Sequence, residues 1–327
     1  MTEGKTTRTI DRVDVHAHFV PSFYAEALTA AGHARPDGMP AIPLWSEAEA
    51  LKTMDMLGVR TAYLSISSPG VHFGDDAAAQ ALARRVNSEA ARLRAAHTGR
   101  FGHFAALPLP DVDGAIAEAV HALDQLGADG VVMESNHGGI YLGDPKLEPL
   151  YRELDRRHAV IFIHPTSPAC SCCPRLQATY PRPMLEFMFE TTRSVTDLVT
   201  AGVLQRFTNL RVIVPHAGAV LPVLANRIEM MSPMLRTTDG QPAPSMRDAL
   251  RRLHFDLAGA PVPQQLRALL DVADTSHLHY GSDYPFTPAM ACDFLLRQIE
   301  TTDLLDDDLR TGIFGRNAVA LFATRRR

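Results

Sequence analysis

Eight short β-rich runs, each separated from the next by room for a helix, constrain this chain more than any other feature. They are Arg12 to His16, Arg60 to Ile66, Phe101 to Leu107, Gly130 to Glu134, Val160 to His164, Arg211 to Pro215, Leu253 to Asp256 and Leu278 to Gly281. Most lack the in-out alternation of a half-exposed strand, as Val160-Ile161-Phe162-Ile163 and Val212-Ile213-Val214 show. Continuous apolar runs are what a parallel sheet covered on both faces requires. Helical apolar spacing fills the intervals, for example over Ser46 to Leu57 and Val112 to Leu126. Ser46 with Glu49 forms a capping-box pattern, and Asp111 stands before the second helix. Eight strand-helix alternations in 327 residues predict an α/β fold, a (β/α)8 TIM barrel, with an open doubly wound sheet as the alternative. No repeat, linker or low-complexity tract divides the chain, so residues 1–327 read as one domain.

Composition narrows the classes of function. A chain that is 46% hydrophobic and 21% charged buries a large core, and its net charge of −5 argues against a nucleic-acid partner. No block of like charge exceeds Arg325 to Arg327. There is no apolar run of the roughly 18 residues that a membrane span needs, and Met1 to Thr9 is polar, so a cytoplasmic protein is expected. Of the cysteines, Cys170, Cys172 and Cys173 crowd together and Cys292 stands alone, a poor disulfide framework that points to free thiols in a reducing compartment. Two longer segments, Pro165 to Pro183 and Ser232 to Ser245, are expected to be binding loops or connections, the first being the better lid candidate.

Chemistry gathers at strand ends. In Asp14-Val15-His16-Ala17-His18, residues two apart on a strand point the same way, so both imidazoles face the barrel axis and can share one ion. Alone, the pair could also be a coincidence in a chain with 14 histidines. But His164 ends the fifth run, His216 follows the sixth and Asp283 follows the eighth. In a barrel those ends form one mouth, where side chains from distant strands converge and where such enzymes keep their chemistry.

Over nearly its whole length, from Val13 to about Phe322, the chain resembles the amidohydrolase superfamily. The motifs are Asp-Val-His-Ala-His (14 to 18), Phe-Ile-His-Pro-Thr (162 to 166), Pro-His-Ala-Gly (215 to 218) and Gly-Ser-Asp-Tyr-Pro-Phe (281 to 286). Within that superfamily it is similar to the decarboxylase branch of aminocarboxymuconate semialdehyde, γ-resorcylate and 6-methylsalicylate decarboxylases. The resemblance implies that His16, His18, His164 and Asp283 ligate a metal, with His216 beside it as acid/base. It also implies that Arg227 reaches into a neighbouring subunit's site to bind substrate carboxylate, making a homodimer the functional unit. Many superfamily relatives bridge two metals with a lysine on the fourth strand. The only lysines here are Lys5, Lys52 and Lys146, and Gly130 to His137 holds none, so one ion per subunit is expected. Imidazoles with a carboxylate suit zinc, with manganese as the alternative.

The functional expectation is therefore a metal-dependent carboxy-lyase that decarboxylates a small salicylate-type acid without oxidation. Asp283 or His216 delivers the proton in that reading. The same ligand set also serves a hydrolase or hydratase acting on a small lactone, ester or amide. His137 is placed to touch substrate, or to be exposed by the turn at Gly138-Gly139. Trp45 and Phe189 line the pocket or fill core, Arg193 holds a structural ion pair, and His33, His97, His121 and His277 read as surface residues. A second metal site at Cys170, Cys172 and Cys173 is disfavoured, because these thiols are too close together to surround an ion.

Overall fold

The computed structural model describes residues 11–169, 179–237 and 239–323. Its barrel strands are β1 (Arg12–His18), β2 (Val59–Ser65), β3 (Phe101–Ala106), β4 (Gly130–Glu134), β5 (Val160–His164), β6 (Arg211–Val214), β7 (His254–Asp256) and β8 (Leu278–His279). They pair in parallel and in chain order. Parallel bridges Asp14–Tyr280 and Ala17–Tyr284 join β8 to β1, and the Val15 N–H donates to the Tyr280 carbonyl at 3.0 Å. That closure selects the (β/α)8 barrel over the open sheet.

All eight expected runs are strands, with ends shifted by at most two residues. The shifts have local causes. β6 stops before Pro215, which has no N–H to continue the ladder. β8 stops at His279 because the Tyr280 N–H turns to the Ile313 carbonyl at 3.0 Å. The two expected helices form over Glu47–Leu57 and Val112–Asp124. The Ser46 side chain accepts from the Glu49 N–H at 3.2 Å, and Asp111 accepts from the Gly114 N–H at 3.0 Å. Each cap satisfies an otherwise orphaned donor of the first turn.

β3, β4 and β5 are buried along their whole length, as strands covered by helices outside and side chains inside must be. Within the barrel, Phe104 and Phe162 stack with ring centroids 5.3 Å apart, and Phe162 meets His16 edge-on at 4.8 Å. This apolar layer forms a dry floor beneath the mouth.

Part of the Pro165 to Pro183 segment, with Cys170, Cys172 and Cys173, lies outside the described residues. In the second long segment, a 3-10 turn over Ser232–Met234 precedes a bridge between Arg236 and Pro242. Cys292 is a buried free thiol. Among the described residues, no helix is long and apolar enough to cross a membrane.

Candidate metal centre

β1 carries His16 and His18 to the mouth, both fully buried, with their Nε2 atoms 3.1 Å apart. His164, at the end of β5, brings its ring within 4.8 Å of the His18 ring and 5.8 Å of the His16 ring. Asp283 follows β8, and its Oδ1 lies 3.2 Å from His18 Nε2 and 3.5 Å from His16 Nε2. His216 Nε2 stands 3.8 Å from the other oxygen of Asp283. One ring nitrogen from each of His16, His18 and His164 lies within 4.8 Å of the others, and His16, His216 and Asp283 form a second such group. Nitrogens bound at about 2.0–2.1 Å to one tetrahedral ion stand roughly 3.4 Å apart. The spacing of these donors fits a single divalent ion.

The backs of these rings are held as well. His16 Nδ1 faces Asp256 Oδ2 at 2.9 Å, and His18 Nδ1 faces the Ser65 Oγ at 3.0 Å and carbonyl at 3.3 Å. An acceptor at Nδ1 keeps the proton there and leaves Nε2 free to ligate. Asp14 Oδ1 accepts from the N–H groups of His16 at 3.0 Å and Ser282 at 3.1 Å, which ties the β8 loop to β1. Gly281 permits that approach, since a Cβ there would sit 2.7 Å from the His16 Cβ. The backbone is strained at the same place: His216, Ala217, Ala219 and Asp283 all have φ between 54° and 59°. Residues with side chains adopt this region at a cost of about 1–3 kcal/mol each, carried by surrounding packing.

The electrostatics follow from burial and the carboxylates of Asp14, Asp256 and Asp283. Burial disfavours a charged His16, yet the Asp256 charge and hydrogen bond, aided by Asp283 and Asp14, raise it to about 9. Burial and the neighbouring His16 lower His18. His164 is driven well below the ordinary imidazole value by burial, His18 and His16. Burial opposes ionisation of Asp283, but hydrogen bonds from His18 and His216 and the charge of His16 hold it well below the usual carboxylate range. Burial raises Asp14 to about 7 against its hydrogen bonds.

A cavity of about 320 Å³ opens beside these groups, lined by Met39, Met184, Phe187 and Phe286 together with His164, His216 and Asp283. None of its described lining residues is Arg or Lys. Arg227 is exposed on the helix Leu221–Met231. His137 sits in the short hairpin Asn136–His137 and Ile140–Tyr141, is 8% exposed, and faces a different cavity of about 420 Å³ shared with Glu134 and His72.

Trp45 packs half-buried at 6.0 Å from Phe19, and Phe189 is largely exposed; neither lines the 320 Å³ cavity. Arg193 pairs with buried Glu190, as expected. The surface reading of four histidines is corrected, for all are half-buried. His97 pairs with Glu47, His277 lies with its ring 4.1 Å from that of His254, and His33 packs 5.3 Å from the Phe73 ring. Imidazole has an apolar body, and its partners come from distant elements that spacing does not show. Sequence reasoning missed Asp256 and the role of Ser65. Asp256 shares the signal that revealed His164, a polar residue closing an apolar run.

The Amidohydrolase family model matches residues 13–324. The 6-methylsalicylic acid decarboxylase acuB of Aspergillus aculeatus is 37% identical over 324 residues, covering 97% of each chain. A crystal structure described as an amidohydrolase II is 35% identical, with a TM-score of 0.90 over 95% of this chain and 99% of that one. A 5-carboxyvanillate decarboxylase from Novosphingobium aromaticivorans, solved with manganese and 4-hydroxy-3-methoxy-5-nitrobenzoic acid, shares the fold at 21% identity, with a TM-score of 0.86 over 99% of each chain. The chain belongs to the amidohydrolase family, in the branch that holds the 6-methylsalicylic acid decarboxylases.

Proposed function

We propose that this protein is a metal-dependent carboxy-lyase that decarboxylates a small salicylate-type acid, with His16, His18, His164 and Asp283 holding one divalent ion. The observation that carries the reading is the convergence of these groups beside an apolar-walled cavity, in a chain 37% identical to a 6-methylsalicylic acid decarboxylase. At about 320 Å³ the cavity is at the small end of the roughly 300–1,000 Å³ typical of ligand sites, which suits a single-ring acid. The nitrogen-rich donor set favours zinc, and the manganese of a structural neighbour makes that ion the alternative. Such an ion, when bound, neutralises negative charge on substrate oxygens.

The barrier to non-oxidative decarboxylation is the electron pair left when carbon dioxide departs. Protonating the ring carbon that bears the carboxylate removes it: the carbon-carbon bond then breaks, its electrons restore the aromatic ring, and no organic cofactor is consumed. Asp283 is held ionised, so His216, 3.8 Å from it and open to the cavity, is the better proton source. Phe187 and Phe286 supply apolar walls for the ring.

Beside the ion, the described lining holds no Arg or Lys to fix a substrate carboxylate. Arg227 supplies that contact from a second subunit in our reading. It has no ion-pair partner among the described residues, and Val223, Met230 and Met231 on the same helix are 68%, 67% and 43% exposed, an apolar surface suited to a homodimer. His137 belongs to the substrate side only if the ligand extends into the neighbouring cavity. The buried Cys292 thiol accords with a cytoplasmic setting.

The test is mass spectrometry of the zinc-loaded protein incubated with hydroxybenzoates, including 6-methylsalicylate, and with lactones and amides. Loss of carbon dioxide from an acid is expected. Addition of water to a lactone or amide, with no acid decarboxylated, would place the protein among hydrolases or hydratases instead.

A further inference from the structure

We infer that Glu134, at the end of β4, is the positioning residue for His164: its carboxylate accepts from His164 Nδ1–H and so aims Nε2 at the ion. The inference rests on the metal-dependent reading above and adds a residue to it. β4 ends on a glutamate and carries no lysine. Glu134 pairs with His164 across the β4–β5 ladder, so their side chains leave neighbouring strands at the same height.

Two orphaned atoms meet there. His164 Nδ1 is buried without a hydrogen-bond partner, Glu134 Oε2 is buried without one, and they lie 3.4 Å apart. The residues are 2% and 6% exposed, so solvent satisfies neither. A buried donor and a buried acceptor, each unpaired, are unfavourable; at 3.4 Å they satisfy one another once Nδ1 carries the proton and the two side chains close into hydrogen-bonding alignment. That is also the tautomer required for ligation through Nε2. The other two imidazoles already follow this rule, with Asp256 behind His16 and Ser65 behind His18. Ser67 Oγ lies 3.3 Å from His164 Nε2, on the side facing the proposed ion, so without Glu134 the Nδ1 side of this ring has no hydrogen-bonding partner among the described residues.

The loop after β2 passes close to Glu134 on its other side. A Cβ built on Gly70 would lie 3.5 Å from both Cγ and Oε1 of Glu134, and Gly70 has a φ of +79°. The Tyr24 hydroxyl donates to the Gly70 carbonyl at 2.7 Å and fixes that loop.

Zinc affinity of the purified protein, measured by chelator competition, tests this without any substrate. Glu134→Leu is expected to weaken zinc binding about 10–100-fold and Glu134→Gln, which keeps a neutral acceptor, about 10-fold or less but measurably, with the metal-free melting temperature of the Gln variant near wild type. Leu and Gln variants that both bind zinc within about twofold of wild type would overturn the inference. Should the Leu variant not fold, the Gln variant decides by the same threshold. Wild-type protein that takes up neither zinc nor manganese would overturn the metal centre and this inference with it. Zinc binding that weakens as expected in a protein that decarboxylates nothing would sustain Glu134 and overturn the substrate reading alone.

Discussion

Replacing Asp256 with Asn separates the role of a carboxylate in orienting a ligand from its role in holding the fold. Asp256 is fully buried at the end of β7 and splits its two oxygens between tasks. Oδ1 accepts from the N–H groups of His216 at 3.0 Å and Ala258 at 2.9 Å, while Oδ2 faces His16 Nδ1 at 2.9 Å. An asparagine whose carbonyl takes the Oδ1 place keeps both backbone bonds and sets its NH2 against Nδ1. Two donors then face each other, and His16 must move its proton to Nε2, where it points at His18 Nε2 3.1 Å away and no longer ligates. The lost charge-assisted bond is worth about 1.5–3 kcal/mol. Divided by about 1.4 kcal/mol per tenfold, this is roughly 10–100-fold in zinc affinity, matching what loss of an orienting partner costs metal sites elsewhere. Asp256→Ala would instead strand three buried donors at about 1–3 kcal/mol each and threaten folding itself. Chelator competition on metal-loaded Asp256→Asn, beside the melting temperature of the metal-free protein, measures both quantities. Wild-type zinc affinity in a folded Asn variant would refute the tautomer reasoning.

Asp283→Asn is expected to lower kcat by about 10²–10⁴ with the fold intact, and substantial turnover would eliminate the site as drawn. Arg227→Ala should raise KM about 10–100-fold for an acid substrate through loss of a charge-assisted contact. If Arg227 acts across a dimer, mixing Arg227→Ala subunits with Asp283→Asn subunits restores activity, because one site of each mixed dimer is complete; no restoration would refute the shared site. Three buried histidines outside the proposed ligand set should each cost the fold stability in acid. Burial lowers His137 to about 3, His279 to about 3 and His254 to about 2, against an ordinary 6.5. Below pH 6.5 the unfolded chain takes up these protons first, so the contribution of each is full above that pH and falls toward pH 3, by about 1.4 kcal/mol per pH unit. Urea unfolding of wild type and His137→Gln at pH 5.5 and 7.5 isolates one such site: the variant should lose about 1.4 kcal/mol less stability over that interval, and an equal loss would contradict the assignment.

The barrel was legible because its physics is repetitive. Strands such as Val160–His164 must be apolar on both faces, and a helix must return the chain each time, so the pattern recurs along the sequence. The clustering of the proposed ligands was legible through the same regularity: once strand ends are located, His16, His18 and His164 come together, and so do His16, His216 and Asp283. Asp256 and Glu134 occupy equivalent positions on β7 and β4 but went unread as supports, because a carboxylate behind an imidazole has no motif of its own. Only the distance between two strands reveals it. His137 shows the opposite limit. It lies just past a strand whose neighbour ends on His164, yet a two-residue hairpin turns it into a separate cavity, and one positive-φ glycine pair, Gly138-Gly139, sets that turn.

Local rules fail most where the site is built. His216, Ala217 and Ala219 hold left-handed backbone that their side chains disfavour, on a segment whose His216 N–H is anchored to Asp256. The same carboxylate that orients His16 therefore also holds the strained turn carrying the proposed proton donor. Ligand and acid/base are coupled through one buried residue, so their relative position is set by the barrel strands rather than by the loops above them. Substrate choice can then vary in those loops, around Met39, Met184 and Phe187, without disturbing the placement of metal ligands and donor.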